Sequence, residues 1–348
     1  MFMTILDWGF TIQKIILIAI VISASLVIAM YATWAERKVA GWMQDRHGPN
    51  RAGPMGLLQP LADGLKLFFK EEIIPNNSSK WLFVLGPCLA MLTAMMTSAI
   101  IPWGGTVALG SYKIDLQIAD INIGILYVFG VVSMGVYGIM IGGWASNNKF
   151  SLMAALRGAS QAISYELAMG LSLIALLMLT GSLSLKTIVE QQINGHFWNI
   201  VYQPLGFIIF LVCALAECNR APFDLPEAES ELNMGYHQEY SSMKLGFYLF
   251  AEYINMFISC AIIATLFFGG YDMPFVDESK LSGMVALLTG LAALFGKTFI
   301  LIFIFMWIRW TLPRFRYDQL MNLGWKGLIP LALLNMVATG AAILYFAK

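Results

Sequence analysis

The sequence predicts an all-α fold: a polytopic membrane protein with about eight transmembrane helices and amphipathic helices in its cytoplasmic loops. Three observations predict it. First, 59% of the 348 residues are hydrophobic and only 12% are charged, against about 25% charged in an ordinary soluble domain. Second, the apolar residues gather into runs long enough to cross a hydrocarbon core, which takes roughly 20 helical residues. Third, basic residues are distributed very unevenly between the two sets of loops.

Taken in order, the expected spans are residues 11–34, 81–102, 122–144, 155–180, 203–219, 245–269, 283–308 and 328–346. The fifth and eighth are near the short limit. The first residues lack a basic start and a small-residue cleavage site, so the first run is expected to stay as a span. No fixed-period repeat and no two-half symmetry is visible. Fifteen of the 21 Lys and Arg fall in the loops after spans one, three, five and seven, five fall on the other side, and Lys297 lies within span seven. The basic side is therefore expected to be cytoplasmic, with both termini opposite it. Residues 1–348 are read as one membrane domain, with 35–80 as a long first cytoplasmic loop and 220–244 as an acidic one.

Within the first loop, "GLLQPLADGLKLFFKEE" places Leu57, Leu58, Leu61, Leu65, Phe68 and Phe69 at helical spacing among Asp63, Lys66 and Lys70. This pattern suits an amphipathic helix at the membrane interface.

Several chemistries find no ligands here. Cys88, Cys213, Cys218 and Cys260 form no CxxC pair and are read as small buried residues. An iron–sulfur cluster needs clustered thiolates. His47, His196 and His237 have no metal-ligand spacing. No phosphate-cradling glycine loop occurs. A formal net charge of zero leaves no footprint for nucleic acid.

The informative residues are ionisable groups at membrane depth, which are costly and usually face a cavity or a partner. These are Glu166, Glu217, Glu252 and Lys297, each in or at the end of a different span. Beside Glu217 begins "ECNRAPFDLPEAESEL". Asp224 and Glu227 are three apart, as in a helix cap with its reciprocal partner, and Pro226 suits a first turn. Glu227 and Glu231 are four apart and would share a helix face. Capping does not account for Glu229 and Glu231 in addition, with only Arg220 nearby to offset them. Crowded carboxylates raise one another's pKa, so the stretch reads as a proton-holding site.

These residues, read together with "AERKVAGWMQDRHGPNRAGPMGLLQPLADGLKLFFKE", "LRGASQAISYELAMG", "GYHQEYSSMKLGFYLFAEYINM" and "WIRWTLPRFRYDQLMNLGWK", resemble the H subunit of NADH-quinone oxidoreductase, the membrane subunit of respiratory complex I beside its peripheral arm. The resemblance runs along essentially the whole chain. It implies a protein that anchors the peripheral arm and forms much of the quinone access tunnel; a bacterial inner membrane is preferred to a mitochondrial one. It also implies a line of buried charges that couples quinone reduction to proton translocation. Quinone would be the substrate, with FMN and iron–sulfur clusters on partner subunits. The partners implied are peripheral-arm subunits at the quinone site, small membrane subunits and lipid. Carried over by motif, Glu36, Arg37, Arg46, Asp63, Arg220 and Asp224 would belong to the tunnel. Glu166, Glu217, Glu227, Glu229, Glu231 and Glu252 would belong to the coupling line. His47 and Asn233–Met234 depart from the family pattern. Two other readings are the homologous membrane subunit of an energy-converting hydrogenase and a stand-alone proton-coupled transporter. The intact first loop and complete acidic motif favour the oxidoreductase over the hydrogenase; the large one-sided loops argue against the transporter.

Overall fold

The computed structural model describes residues 8–109, 112–195, 197–273 and 283–346. It is helical almost throughout. The first helix, α1, runs Trp8–Met43, and α2 runs Gln59–Phe69 in the loop that follows. Next are α3 (Lys80–Thr97) and a small antiparallel hairpin, β1 (Thr106–Leu109) with β2 (Tyr112–Asp115), registered Thr106 to Asp115. Then follow α4 (Gly124–Ala145), α5 (Lys149–Thr180), α6 (Leu185–Gly195), α7 (Asn199–Tyr202), α8 (Pro204–Glu217) and α9 (Glu229–Leu232). The chain continues through α10 (Ser242–Phe267), α11 (Gly283–Thr311), α12 (Tyr317–Asn322) and α13 (Ile329–Phe346), the last two joined by a π-helical stretch, Leu323–Leu328.

Seven of these stretches are long and apolar enough to cross a membrane. The expected eighth, at 203–219, is instead the 14-residue α8. At 1.5 Å per residue it rises about 21 Å, short of a hydrocarbon core of about 30 Å. The cause is Pro204, which has no N–H to continue a helix from α7. Gln203 takes a non-helical conformation at the break. Its side chain accepts from Asn335 Nδ2 at 2.8 Å and donates to Thr339 Oγ1 at 2.7 Å. Irregular backbone at membrane depth persists where protein groups satisfy it.

The centre of the bundle is α10. Of its most apolar window 72% is buried, against 22% to 50% in the other spans. It packs on α3, α11 and α1. Tyr248 of α10 reaches α4, donating from its hydroxyl to Gly138 O at 3.1 Å. A Cβ at Gly142 would lie 1.9 Å from the Tyr248 hydroxyl, so only glycine admits the tyrosine there. At its far end, α10 is capped by Lys297 of α11. The ammonium donates to Phe268 O at 2.7 Å, Gly270 O at 3.0 Å and Asp272 O at 2.5 Å. A cation at a helix C-terminus is favoured by the helix dipole, and this gives Lys297 a structural role.

The outward faces are apolar: Ile15, Ile16 and Val27 on α1 and Leu334 and Val337 on α13 are exposed, as lipid-facing or partner-facing surfaces must be. Cys213, Cys218 and Cys260 are buried, but Cys88 is exposed on the outer face of α3, contrary to the expectation that all four are interior. In α2, Leu61, Leu65, Phe68 and Phe69 are all exposed and form an apolar stripe along the helix.

Candidate functional site

Helical geometry sends adjacent residues about 100° apart, and α1 uses this to split Glu36 from Arg37. Arg37 points outward and donates to Asp63 Oδ2 of α2 at 2.6 Å, while Gln59 donates to the other Asp63 oxygen at 3.1 Å. Glu36 points into the bundle and is 5% exposed. Its carboxylate accepts from Tyr253 of α10 at 2.8 Å and from Arg309 of α11. Three helices thus meet on one acid.

Arg220 lies beside it, in the loop after α8. Its guanidinium sits 3.7 Å from Glu36 on one side and 3.7 Å from Glu252 on the other, and it lies over the Tyr253 ring at 4.1 Å. Its Nε and Nη2 make no hydrogen bond among the described residues. Burial opposes the charge on Arg220, but Tyr253, Glu252, Glu36 and Glu227 outweigh it and the pKa rises, so Arg220 stays protonated.

Glu252 accepts a hydrogen bond from the Tyr236 hydroxyl at 3.0 Å. Burial, then Glu252 and Glu227, push the Tyr236 hydroxyl well above its ordinary value, which keeps it a neutral donor. Glu227 faces Glu252 within hydrogen-bonding reach and lies 3.9 Å from His237 Nδ1. Burial pushes Glu227 up, but the Glu252 hydrogen bond, His237, Arg220 and Arg309 together hold it below the usual carboxylate value.

Asp224 accepts from Arg314 at 2.8 Å through Oδ2, while its buried Oδ1 has no partner among the described residues. Burial pushes its carboxyl up to about 7, Glu227 adds to the rise, and Arg314 and Arg309 restrain it. These groups line a cavity of about 370 Å³ with Met234, His237 and Trp310.

The loop is fixed in place by its neighbours. Gln161 of α5 donates to both Ala216 O and Phe223 O at 2.7 Å. Gly235 has φ +73°, and a Cβ there would lie 1.9 Å from Pro226 O, so this turn requires glycine.

Beyond Glu252 the polar groups continue. A cavity of about 60 Å³ is lined by Glu252, Asn255, Ser259, Thr93, Asn219 and Glu217, large and polar enough to hold a few waters. Glu217 also borders a smaller apolar cavity of about 30 Å³ beside Phe129, Met169 and Phe210. Glu166 of α5 is its electrostatic neighbour. Glu166 in turn accepts from Ser133 of α4.

The structure therefore brings Glu36, Arg220, Glu252, Glu227 and Asp224 into one cluster, and Glu217 and Glu166 into a second that begins at the polar cavity. Others stand apart. The Arg37–Asp63 pair is on the outer edge. Arg46 is exposed and donates to Gln44 at 2.6 Å. Glu231 is paired with Arg157 of α5 at 2.7 Å and is half-exposed. The side chain of Glu229 lies outside the described residues.

The capped helix expected from Asp224 does not form. Among the described residues of this loop the α-helix is the four-residue α9, with Ala228 preceding it and no side-chain cap. Asp224 turns to Arg314, Pro226 lies before the helix, and Glu227 and Glu231 share no helical face. Sequence reasoning also missed Arg309, Arg314, Tyr236, Tyr253 and His237. Their signal was present: Tyr253 adjoins Glu252, and both arginines lie in "WIRWTLPRFR". Among the described residues no group of His, Cys, Asp and Glu could hold a metal ion.

Fold and site define a class: a multi-pass membrane protein whose interior carries a connected line of carboxylates and arginines. Comparison with known proteins narrows this. A family model described as NADH dehydrogenase matches residues 15–340. An H subunit of NADH-quinone oxidoreductase from Cytophaga hutchinsonii is 63% identical over 97% of this chain and 98% of its own length. The corresponding H subunit of Flavobacterium johnsoniae is 62% identical over 97% of each chain. One from Geobacter sulfurreducens is 50% identical over 91% of each. The chain belongs to the NADH dehydrogenase family, among the H subunits of NADH-quinone oxidoreductase.

Proposed function

We propose that the chain is the membrane subunit of a proton-pumping NADH:quinone oxidoreductase that shapes the quinone tunnel and couples quinone reduction to proton translocation. Family membership supports the first half. The observation that carries the second is the succession Glu36, Arg220, Glu252, polar cavity, Glu217, Glu166, which runs from the C-terminal part of α1, past the loop after α8, to the middle of α5.

Quinone reduction consumes two electrons and two protons. The cavity beside Asp224, Glu227 and His237 offers a carboxyl, that of Asp224, raised by burial to about 7, next to arginines that steady a polar headgroup. A change of charge there alters the field on Arg220, which is bound tightly to neither of its two acids. Its shift toward Glu36 or Glu252 changes the cost of charge on Glu252, and water in the polar cavity passes the consequence to Glu217 and Glu166. Arg37, Asp63 and the apolar stripe of α2 suit the tunnel mouth, with Arg46 at its rim. Lipid, peripheral-arm subunits at the quinone site and small membrane subunits would cover the exposed faces. FMN and iron–sulfur clusters would sit on those peripheral-arm partners. The proposed setting is a bacterial inner membrane with both termini periplasmic, α7 and α8 together making the eighth crossing.

The test is recovery of the chain from native membranes in mild detergent, with inhibitor-sensitive NADH:quinone activity assayed on the product. Co-purification with a flavin- and iron–sulfur-containing assembly that reduces quinone is expected. Recovery with a nickel hydrogenase, or alone, would overturn the reading.

A further inference from the structure

Ser133 of α4 stands against Glu166 of α5, and its hydroxyl has two acceptors within reach. One is Glu166 Oε1. The other is the backbone carbonyl of Phe129, one turn earlier, at 2.9 Å. A serine hydroxyl has one hydrogen and two lone pairs, so it can make a full, well-aligned bond to only one of these acceptors at a time.

The two choices correspond to the two charge states of Glu166. When Glu166 is ionised, the Ser133 O–H donates to its carboxylate. When Glu166 is protonated, the carboxylic O–H donates to Ser133 Oγ, and the Ser133 O–H turns to Phe129 O. That carbonyl also faces the backbone N–H of Ser133 within α4, so turning the hydroxyl away orphans no backbone group. Both side chains are only half-buried, on the α4–α5 face, at a depth where an unsatisfied polar group is costly.

We propose that Ser133 is a positioning residue for Glu166: a rotating hydroxyl that keeps the carboxyl hydrogen-bonded in both charge states, so that Glu166 can gain or lose a proton without movement of the backbone. No proton passes through the serine. It arrives at, or leaves from, the Glu166 carboxyl on the Glu217 side, and the hydroxyl only reorients. The inference rests on the coupling line proposed above.

Threonine and valine separate the hydroxyl from its shape. Ser133→Thr keeps the hydroxyl, which threonine can place on the same i−4 carbonyl. Ser133→Val has nearly the same outline without it. The assembled complex carrying each variant is reconstituted in vesicles, and protons moved per NADH oxidised are measured. Infrared difference spectra on NADH addition follow the Glu166 carboxyl band, assigned by its loss in Glu166→Gln. Ser133→Val is expected to lower the proton ratio and to shift the Glu166 band; Ser133→Thr should restore both. If Glu166→Gln impairs pumping but Ser133→Val leaves the ratio and the band unchanged, this inference fails alone. If Glu166→Gln pumps normally, the coupling line fails and this inference with it.

Discussion

Arg220 and Glu252 are both buried, and their charged groups lie 3.7 Å apart without a hydrogen bond between them. Glu36 stands at the same distance on the opposite side of the guanidinium. A buried arginine shared in this way must neutralise two acids at once. Arg220→Met would leave both without it, and removing one partner of a buried pair costs about 3–5 kcal/mol. The expected outcome is poor assembly and a lower Tm of the purified complex. Glu36 keeps Arg309, so Arg220→Met combined with Glu252→Gln should recover much of the loss.

Asp224 supplies a pH dependence. Its carboxyl is raised to about 7 by burial, above its value in an unfolded chain of about 4. A raised carboxyl contributes stability that is fully present below the unfolded value and is lost as pH rises through about 7. The complex should therefore lose stability by way of this group as pH rises from about 4 to about 7, with little further change above that. Asp224→Asn should flatten that part of the Tm-against-pH curve. Identical curves for the two proteins would contradict the assignment.

Gly235 fixes the turn that presents Tyr236 and His237. With φ +73° and Pro226 O in the place of a Cβ, Gly235→Ala should cost at least about 1–3 kcal/mol. The strain falls on the loop rather than the bundle. Limited proteolysis should cut between α8 and α10 faster in the variant, with the spans still protected and quinone reduction impaired.

The apolar stripe of α2 makes a prediction about substrate tails. Leu65 and Phe68 are exposed on it. If the stripe borders the path of an isoprenoid chain, Leu65→Asp should raise KM for a long-tailed quinone by about tenfold, the cost of a poorly buried side chain. A short-tailed analogue should be affected far less. An equal effect on both would place the stripe elsewhere.

Most spans were legible in the sequence because one physical requirement, apolar length, dominates them. The break before α8 was not, since the Pro204 turn is secured by Asn335 and Thr339 more than a hundred residues away. The acidic loop shows the same limit. Asp224, Pro226 and Glu227 have the local spacing of a capped helix, but a buried carboxylate gains more from an arginine than from a cap. The winning partner, Arg314, is 90 positions distant. Glu36, Arg220 and Glu252 were each legible as charges worth noting, but that one guanidinium lies between two acids is a fact of packing. Arg309 and Arg314 were passed over for that reason: a basic residue after a span looks like an orientation signal until its carboxylate is seen.

On the proposal that the line from Glu36 to Glu166 couples quinone reduction to proton movement, Glu217 is the acid that lines both cavities. The most direct measurement is protons translocated per NADH oxidised by the assembled complex carrying Glu217→Gln in sealed vesicles. Glutamine keeps the size and polarity but cannot take a charge. A sharp fall in the proton ratio is expected, with assembly intact and NADH oxidation by the peripheral arm still measurable. A ratio equal to that of the unmodified complex would remove Glu217 from the line and break the proposed coupling route at its centre.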